Sequence, residues 1–145
     1  MKEKILISAC LMGENCKYSG GNNYHSAVEA LKERYELILV CPERDGGLPT
    51  PRTPSERLGE RVLSKSGDDV TAQFVRGAHL ALDTALEHGC KTALLKERSP
   101  SCGCGMIYDG SFTGTVIEGD GVTAELLKAH GIQILGESRI DELMR

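Results

Sequence analysis

Apolar and polar positions alternate along the chain in a way that predicts short strands separated by helices. Glu36-Leu37-Ile38-Leu39-Val40 is a run rich in branched aliphatics and predicts a strand buried on both faces. Cys41 ends it, Pro42 forces the chain out of the sheet, and Glu43 follows two residues after the thiol. Lys4-Ile5-Leu6-Ile7-Ser8-Ala9 predicts a first strand that runs into Cys10. Lys91 to Lys96 predicts a third, leading into a loop that holds Cys102. Between the first two, Ser26 to Arg34 forms a helix with Val28, Leu31 and Tyr35 at helical spacing. The strongest helical pattern is Val70, Phe74, Ala78, Leu82 and Ala85, with Asp68 and Asp69 as cap candidates and Gly89 as the stop. Ser55 to Glu60 reads as a short helix, Arg61 to Ser64 as a short strand or hairpin arm, and Ile107 to Phe112 as a turn. Val122 to His130 predicts another helix, Ile132 to Leu135 a last strand, and Ile140 to Met144 a short terminal helix.

Strands that alternate with helices imply βαβ crossovers. The expected fold is therefore α/β: one compact three-layer domain over residues 1–145, with a mainly parallel, Rossmann-like sheet. Ligands of such sheets sit in the crevice beyond the carboxyl ends of the strands. Cys10, Cys41 and Cys102 each stand at such an end, so the three thiols are expected to face one point.

Composition narrows what that point does. A net charge of −4 argues against nucleic acid as the main partner, which needs a basic face. No apolar run approaches the roughly 20 residues that span a bilayer. Lys2 and Lys4 precede only a short apolar stretch, and polar Gly13-Glu14-Asn15 soon follows, so a strand is expected there rather than a secretory signal. The expected location is the cytoplasm. Six cysteines in that compartment point to metal or catalysis rather than disulfides. Aromatic residues make up only 4% of the chain and tryptophan is absent, so no base-stacking platform is evident.

Cys90, lodged between a helix stop and a strand, fits a buried small hydrophobe. Soft thiolates select zinc, copper(I) or iron–sulfur clusters. The paired knuckles of structural zinc are missing, since the chain has no Cys-x-x-Cys. Three thiolates from separate strand ends suit a [4Fe–4S] cluster with one iron left open to a soft atom such as substrate sulfur. Cys16 or Cys104 is the candidate fourth ligand, and either would close the cluster and make its chemistry electron transfer. The other reading is a non-enzymatic metal-binding or redox and electron-transfer module, such as one with zinc on Cys10, Cys16, Cys41 and Cys102. A carboxylate after a strand is ordinarily a solvated loop group, yet Glu43 beside a cluster could activate water or shuttle a proton. Ser101 could hold a substrate carbonyl or that water, and Arg52 and Arg98 could fix an anionic or carbonyl group. His25, His79, His88 and His130 look incidental, and Gly46-Gly47 and Gly103-x-Gly105 lack the spacing of a phosphate-binding fingerprint.

Several stretches resemble a bacterial family whose characterised members are [4Fe–4S]-dependent thiouracil desulfurases. They are Ser8-Ala9-Cys10-Leu11-x-Gly13-x-x-Cys16-Lys17-Tyr18-x-Gly20, Cys41-Pro42-Glu43-x-x-Gly46-Gly47-Leu48, Pro51-Arg52-x-Pro54, Asp69-Val70-Thr71 and Lys96-x-x-Ser99-Pro100-Ser101-Cys102-Gly103. Tyr108-Asp109-Gly110-Ser111-Phe112-x-Gly114 and Gly121-Val122-x-Ala124-x-Leu126-Leu127 continue the match. Lys17 departs from the Arg expected there, and Cys104 matches no motif position. The resemblance implies a cytoplasmic iron–sulfur enzyme whose partner is a small thiolated pyrimidine base. It implies a cluster on Cys10, Cys41 and Cys102, with Glu43 as acid/base and Ser101 as a contact to substrate or water. The implied reaction turns 2-thiouracil into uracil and hydrosulfide with no net redox change.

Overall fold

In the computed structural model, which describes residues 2–144, strand β1 (Glu3–Ser8) ends in a 3-10 turn, Ala9–Met12, that carries Cys10 off the sheet. Helix α1 (Val28–Arg34) leads straight into β2 (Tyr35–Val40), and Pro42 then opens a one-turn helix, α2 (Pro42–Asp45). Proline suits a first helical position because its missing N–H would have no partner there. A hairpin follows, β3 (Ser55–Leu58) and β4 (Arg61–Ser64), then the long helix α3 (Thr71–His88) and strand β5 (Thr92–Leu95). The chain completes a second hairpin, β6 (Met106–Tyr108) and β7 (Val116–Glu118), then α4 (Val122–Ala129), β8 (Gln133–Gly136) and a 3-10 segment, Glu137–Met144.

The main sheet has four strands in the order β2-β1-β5-β8, all paired in parallel. Side chains of its central strands alternate between two cores, as the pleat requires. Leu6, Ala93 and Leu95 pack with Ala81, Leu82, Ala85, Ala124 and Leu127 of α3 and α4. Ile5, Ile7 and Leu94 pack on the other face with Val28 and Leu31 of α1 and Ile140 and Leu143 of the terminal segment. Three layers result, as the sequence pattern predicts.

Helix α3 starts and stops as its sequence indicates. Asp69 Oδ1 accepts the Thr71 N–H at 2.9 Å and the Thr71 hydroxyl at 2.6 Å, and Gly89 takes the left-handed conformation at φ 68°. Four local expectations give way. Strand β2 lies at the sheet edge, with Leu39 36% exposed, so the strands covered on both faces are β1 and β5. Ser55 to Glu60 is no helix: Gly59 at φ 61° turns β3 back onto β4, pairing Arg57 with Val62. Ile107 to Phe112 is not only a turn, because Met106–Tyr108 pairs with Val116–Glu118. Glu43 stands in the first turn of α2 rather than in an open loop.

Helices α2 and α3 touch through glycine. A Cβ on Gly77 would lie 1.9 Å from the Pro42 carbonyl oxygen, and one on Gly46 2.1 Å from that of Gln73. Both obstacles are backbone, so neither can swing away. Gly77→Ala improves helix propensity by about 1 kcal/mol, but forcing the backbones apart costs about 1–3 kcal/mol or more. Net destabilisation is expected in thermal unfolding, with displacement of Pro42 and so of its neighbours Cys41 and Glu43. A Gly77→Ala protein as stable as the parent would contradict this contact. No helix among the described residues is long and apolar enough to cross a membrane.

Candidate active site

A cavity of about 650 Å³ opens where β1, β2 and β5 end, and Cys10, Cys16, Cys41 and Cys102 all line it. Each of the three predicted thiols arrives on its own element. Cys10 sits on the 3-10 turn after β1, where its Sγ accepts a hydrogen bond from Asn23 Nδ2 at 3.4 Å. Burial pushes this thiol up, and the Asn23 bond pulls against it. Cys41 caps α2, with its N–H on Asp45 Oδ2 at 3.1 Å. Cys102 lies in the loop after β5, which Ser99 shapes by accepting the Ser101 and Cys102 N–H groups on its Oγ at 3.0 Å each. Only 6% of Cys102 is exposed; burial drives its thiol well above the ordinary range, and a hydrogen bond with Ser8 opposes that.

Cys16 stands beside Cys41, whose Sγ lies 3.8 Å from the Cys16 carbonyl oxygen. The side-chain hydrogen bond between the two raises the Cys16 thiol and lowers that of Cys41. The nearby Arg44 and Arg52 guanidiniums also favour the Cys41 thiolate.

Glu43 reaches the same cavity from α2, and Arg52 Nε donates to its Oε1 at 3.4 Å. Both side chains are largely covered, at 19% and 7% exposure. Burial raises the Glu43 carboxyl above its usual range, and the neighbouring guanidinium draws it back down. Arg52 also ties two loops together, through Nη1 to the Pro49 carbonyl at 3.1 Å and the Thr50 hydroxyl at 3.0 Å, and Nη2 to the Cys16 carbonyl at 3.0 Å. It braces the site rather than standing open to an anion. Arg98 lines the cavity too, on left-handed backbone at φ 68°.

Ser101 is turned elsewhere. It is fully buried, its hydroxyl pairs with Thr123 Oγ1 at 2.7 Å, and its carbonyl accepts the Thr123 and Ala124 N–H groups at the start of α4. Neither it nor Cys104 lines the cavity, and Cys90 lies in the core at 5% exposure. None of the four histidines reaches the cavity. Ser8, Lys96, Tyr108 and Phe112, which the motifs carry without an assigned role, line it as well, and so does Glu56, which no motif carries. Tyr108 and Phe112 place aromatic rings at a site where overall composition suggested none.

The donor set can be tested against the groups soft thiolates bind. Among the described residues, no three His, Cys, Asp or Glu side chains are grouped to hold a single metal ion. Four thiolates on one zinc must crowd tetrahedrally within about 2.3 Å of it. A polynuclear cluster instead spreads its ligands over different metal atoms. Three cysteines arriving from separate strand ends on a roomy cavity fit that second demand.

The fold and site define a class: parallel α/β proteins that gather cysteines at the carboxyl end of the sheet. Within it, this chain belongs to the 2-thiouracil desulfurase family, whose profile matches residues 5–139. The uncharacterized protein YbbK of Bacillus subtilis (strain 168) is 37% identical over 150 residues, covering 97% of this chain and 99% of YbbK. A solved structure of the [4Fe-4S]-dependent thiouracil desulfidase TudS is 50% identical, with a TM-score of 0.93 over 99% of this chain and 96% of that one.

Proposed function

We propose that this chain removes sulfur from a thiolated pyrimidine base, converting 2-thiouracil and water to uracil and hydrosulfide, with a [4Fe–4S] cluster on Cys10, Cys41 and Cys102. The observation that carries this reading is the delivery of those three thiols, from three strand ends, to one cavity that also receives Glu43. When bound, the cluster supplies an iron without a protein ligand, a Lewis acid with affinity for soft sulfur. Membership of the family and the likeness to TudS support the same chemistry.

The remaining work falls to the chain's own groups. Arg52 holds Oε1 of Glu43, which leaves Oε2 to take a proton from the water that attacks the thiolated carbon. Burial brings the carboxyl closer to neutral pH, where a base is most effective. The carboxyl returns that proton to the sulfur, which departs as hydrosulfide, and the second proton of the added water passes to solvent as the carbonyl forms. Asn23 orients Cys10, Ser8 supports Cys102, and Ser99 fixes the loop around Cys102. Cys16, on the loop after β1 rather than at a strand end, lies beside Cys41 and outside the three-thiol set. Ser101 serves as scaffold, joining the Cys102 loop to α4 through Thr123.

The test is anaerobic reconstitution followed by incubation with 2-thiouracil, reading hydrosulfide and uracil together. Equal release of both is expected, and a cluster-bearing protein that releases neither overturns the proposal. A pH profile tests Glu43 separately. Arg52→Gln removes the charge that lowers its carboxyl and leaves burial unopposed. Protonation then persists to higher pH, so the base form is lost sooner on acidification and the acid limb of kcat/KM moves up. Arg52→Lys retains the charge and is expected to stay near the parental limb. An unmoved limb in Arg52→Gln would show that Glu43 is not the group being titrated.

A further inference from the structure

The two hairpins contribute part of the cavity wall, and a single buried carboxylate links them. Glu56 on β3 is 9% exposed, and its Oε1 accepts the backbone N–H groups of Gly110 at 3.0 Å and Phe112 at 3.1 Å. Asp109 braces the same turn from within, its Oδ1 accepting the Ser111 N–H at 2.9 Å and the Ser111 hydroxyl at 2.5 Å. Gly110 tolerates its φ of 97°, but Phe112 is held at φ 60°, which a bulky side chain rarely adopts. Of the two phenylalanines in the chain, Phe74 fills the core, while Phe112 sits half-buried on the cavity wall. Tyr108, where β6 ends, lines the same cavity.

We infer that Phe112 and Tyr108 form the surface against which the flat face of the substrate base rests, and that Glu56 is the positioning residue that holds Phe112 there. This rests on the desulfidase reading above and names how that site binds its base. Aromatic rings accept the π-face of any base, so the surface governs affinity more than turnover. Glu56 does not touch the base; it acts through the backbone of residues 110–112. Because one oxygen accepts both bonds, glutamine can replace it and alanine cannot.

Steady-state kinetics with 2-thiouracil, visible absorbance of the cluster and calorimetric titration with uracil test this on the anaerobically reconstituted protein. Phe112→Gly is expected to raise KM and weaken uracil binding about tenfold, within the range a lost stacking contact costs, with kcat changed less than about twofold. Its cluster absorbance stays parental, and its melting temperature does not fall, because glycine is at ease at that φ. Glu56→Ala is expected to show the same split, and Glu56→Gln to restore parental KM. Parental KM and uracil affinity in Phe112→Gly overturn the inference, whether or not Glu56→Ala folds. So does a Glu56→Ala protein that loses kcat while keeping KM. A parent that holds the cluster and binds uracil but releases no hydrosulfide overturns the desulfidase reading instead, which separates the two failures.

Discussion

Cys10→Ala, Cys41→Ala and Cys102→Ala are each expected to abolish both cluster uptake and desulfuration, while Cys90→Ala keeps both. The three sulfurs come from the ends of β1, β2 and β5, and Cys90 and Cys104 lie off the cavity, where neither can replace them. Losing the hydrogen-bond partner of a metal ligand already costs roughly 10–100-fold. Losing the ligand itself should exceed that, taking activity below detection along with the visible absorbance of the cluster. Cys90 packs among Ala93, Ala124 and Ile132, so its replacement by Ala removes one sulfur from the core at some cost in stability and none in chemistry. Iron content and visible absorbance after anaerobic reconstitution check all four variants. A cluster retained at parental occupancy in any of the first three would remove that residue from the ligand set.

Glu43→Gln is the second large effect. Glutamine preserves the volume of the side chain and an oxygen for Arg52 Nε, so the local structure has no reason to move. What it removes is a group able to take a proton, a loss worth about 10²–10⁴-fold in rate. The variant is therefore expected to hold its cluster with parental absorbance and to fail in turnover. Desulfuration at the parental rate would end the acid/base assignment and leave Glu43 as a structural partner of Arg52.

The parts of this architecture readable from sequence are those written in neighbouring residues. An aliphatic run closed by cysteine and proline marks a strand and its end, and Asp69 and Gly89 mark where α3 begins and stops. Alternation of such runs with helical patterns was enough to anticipate the parallel sheet and the convergence of Cys10, Cys41 and Cys102. The edge position of β2 was not legible, because it depends on strand order rather than on the strand's own residues. The two hairpins were missed for a related reason: strands of three or four residues carry too few positions to establish a period. Site residues held by distant partners were equally hidden. Glu56 meets residues 54 and 56 positions away, and Arg52 reaches back 36 to Cys16. Ser101 looked available because its neighbours are loop residues, yet Thr123, 22 positions on, claims its hydroxyl. Aromatic content misled for a different reason: it sums over the chain, whereas binding needs only a ring or two in the right wall.

Mössbauer spectroscopy of the protein reconstituted with isotope-enriched iron tests the central claim most directly. If three thiolates hold one cluster with a vacant corner, a minority iron environment distinct from the rest is expected, and its signal should move on addition of 2-thiouracil. Iron sites that are all alike, and indifferent to that base, would contradict the account.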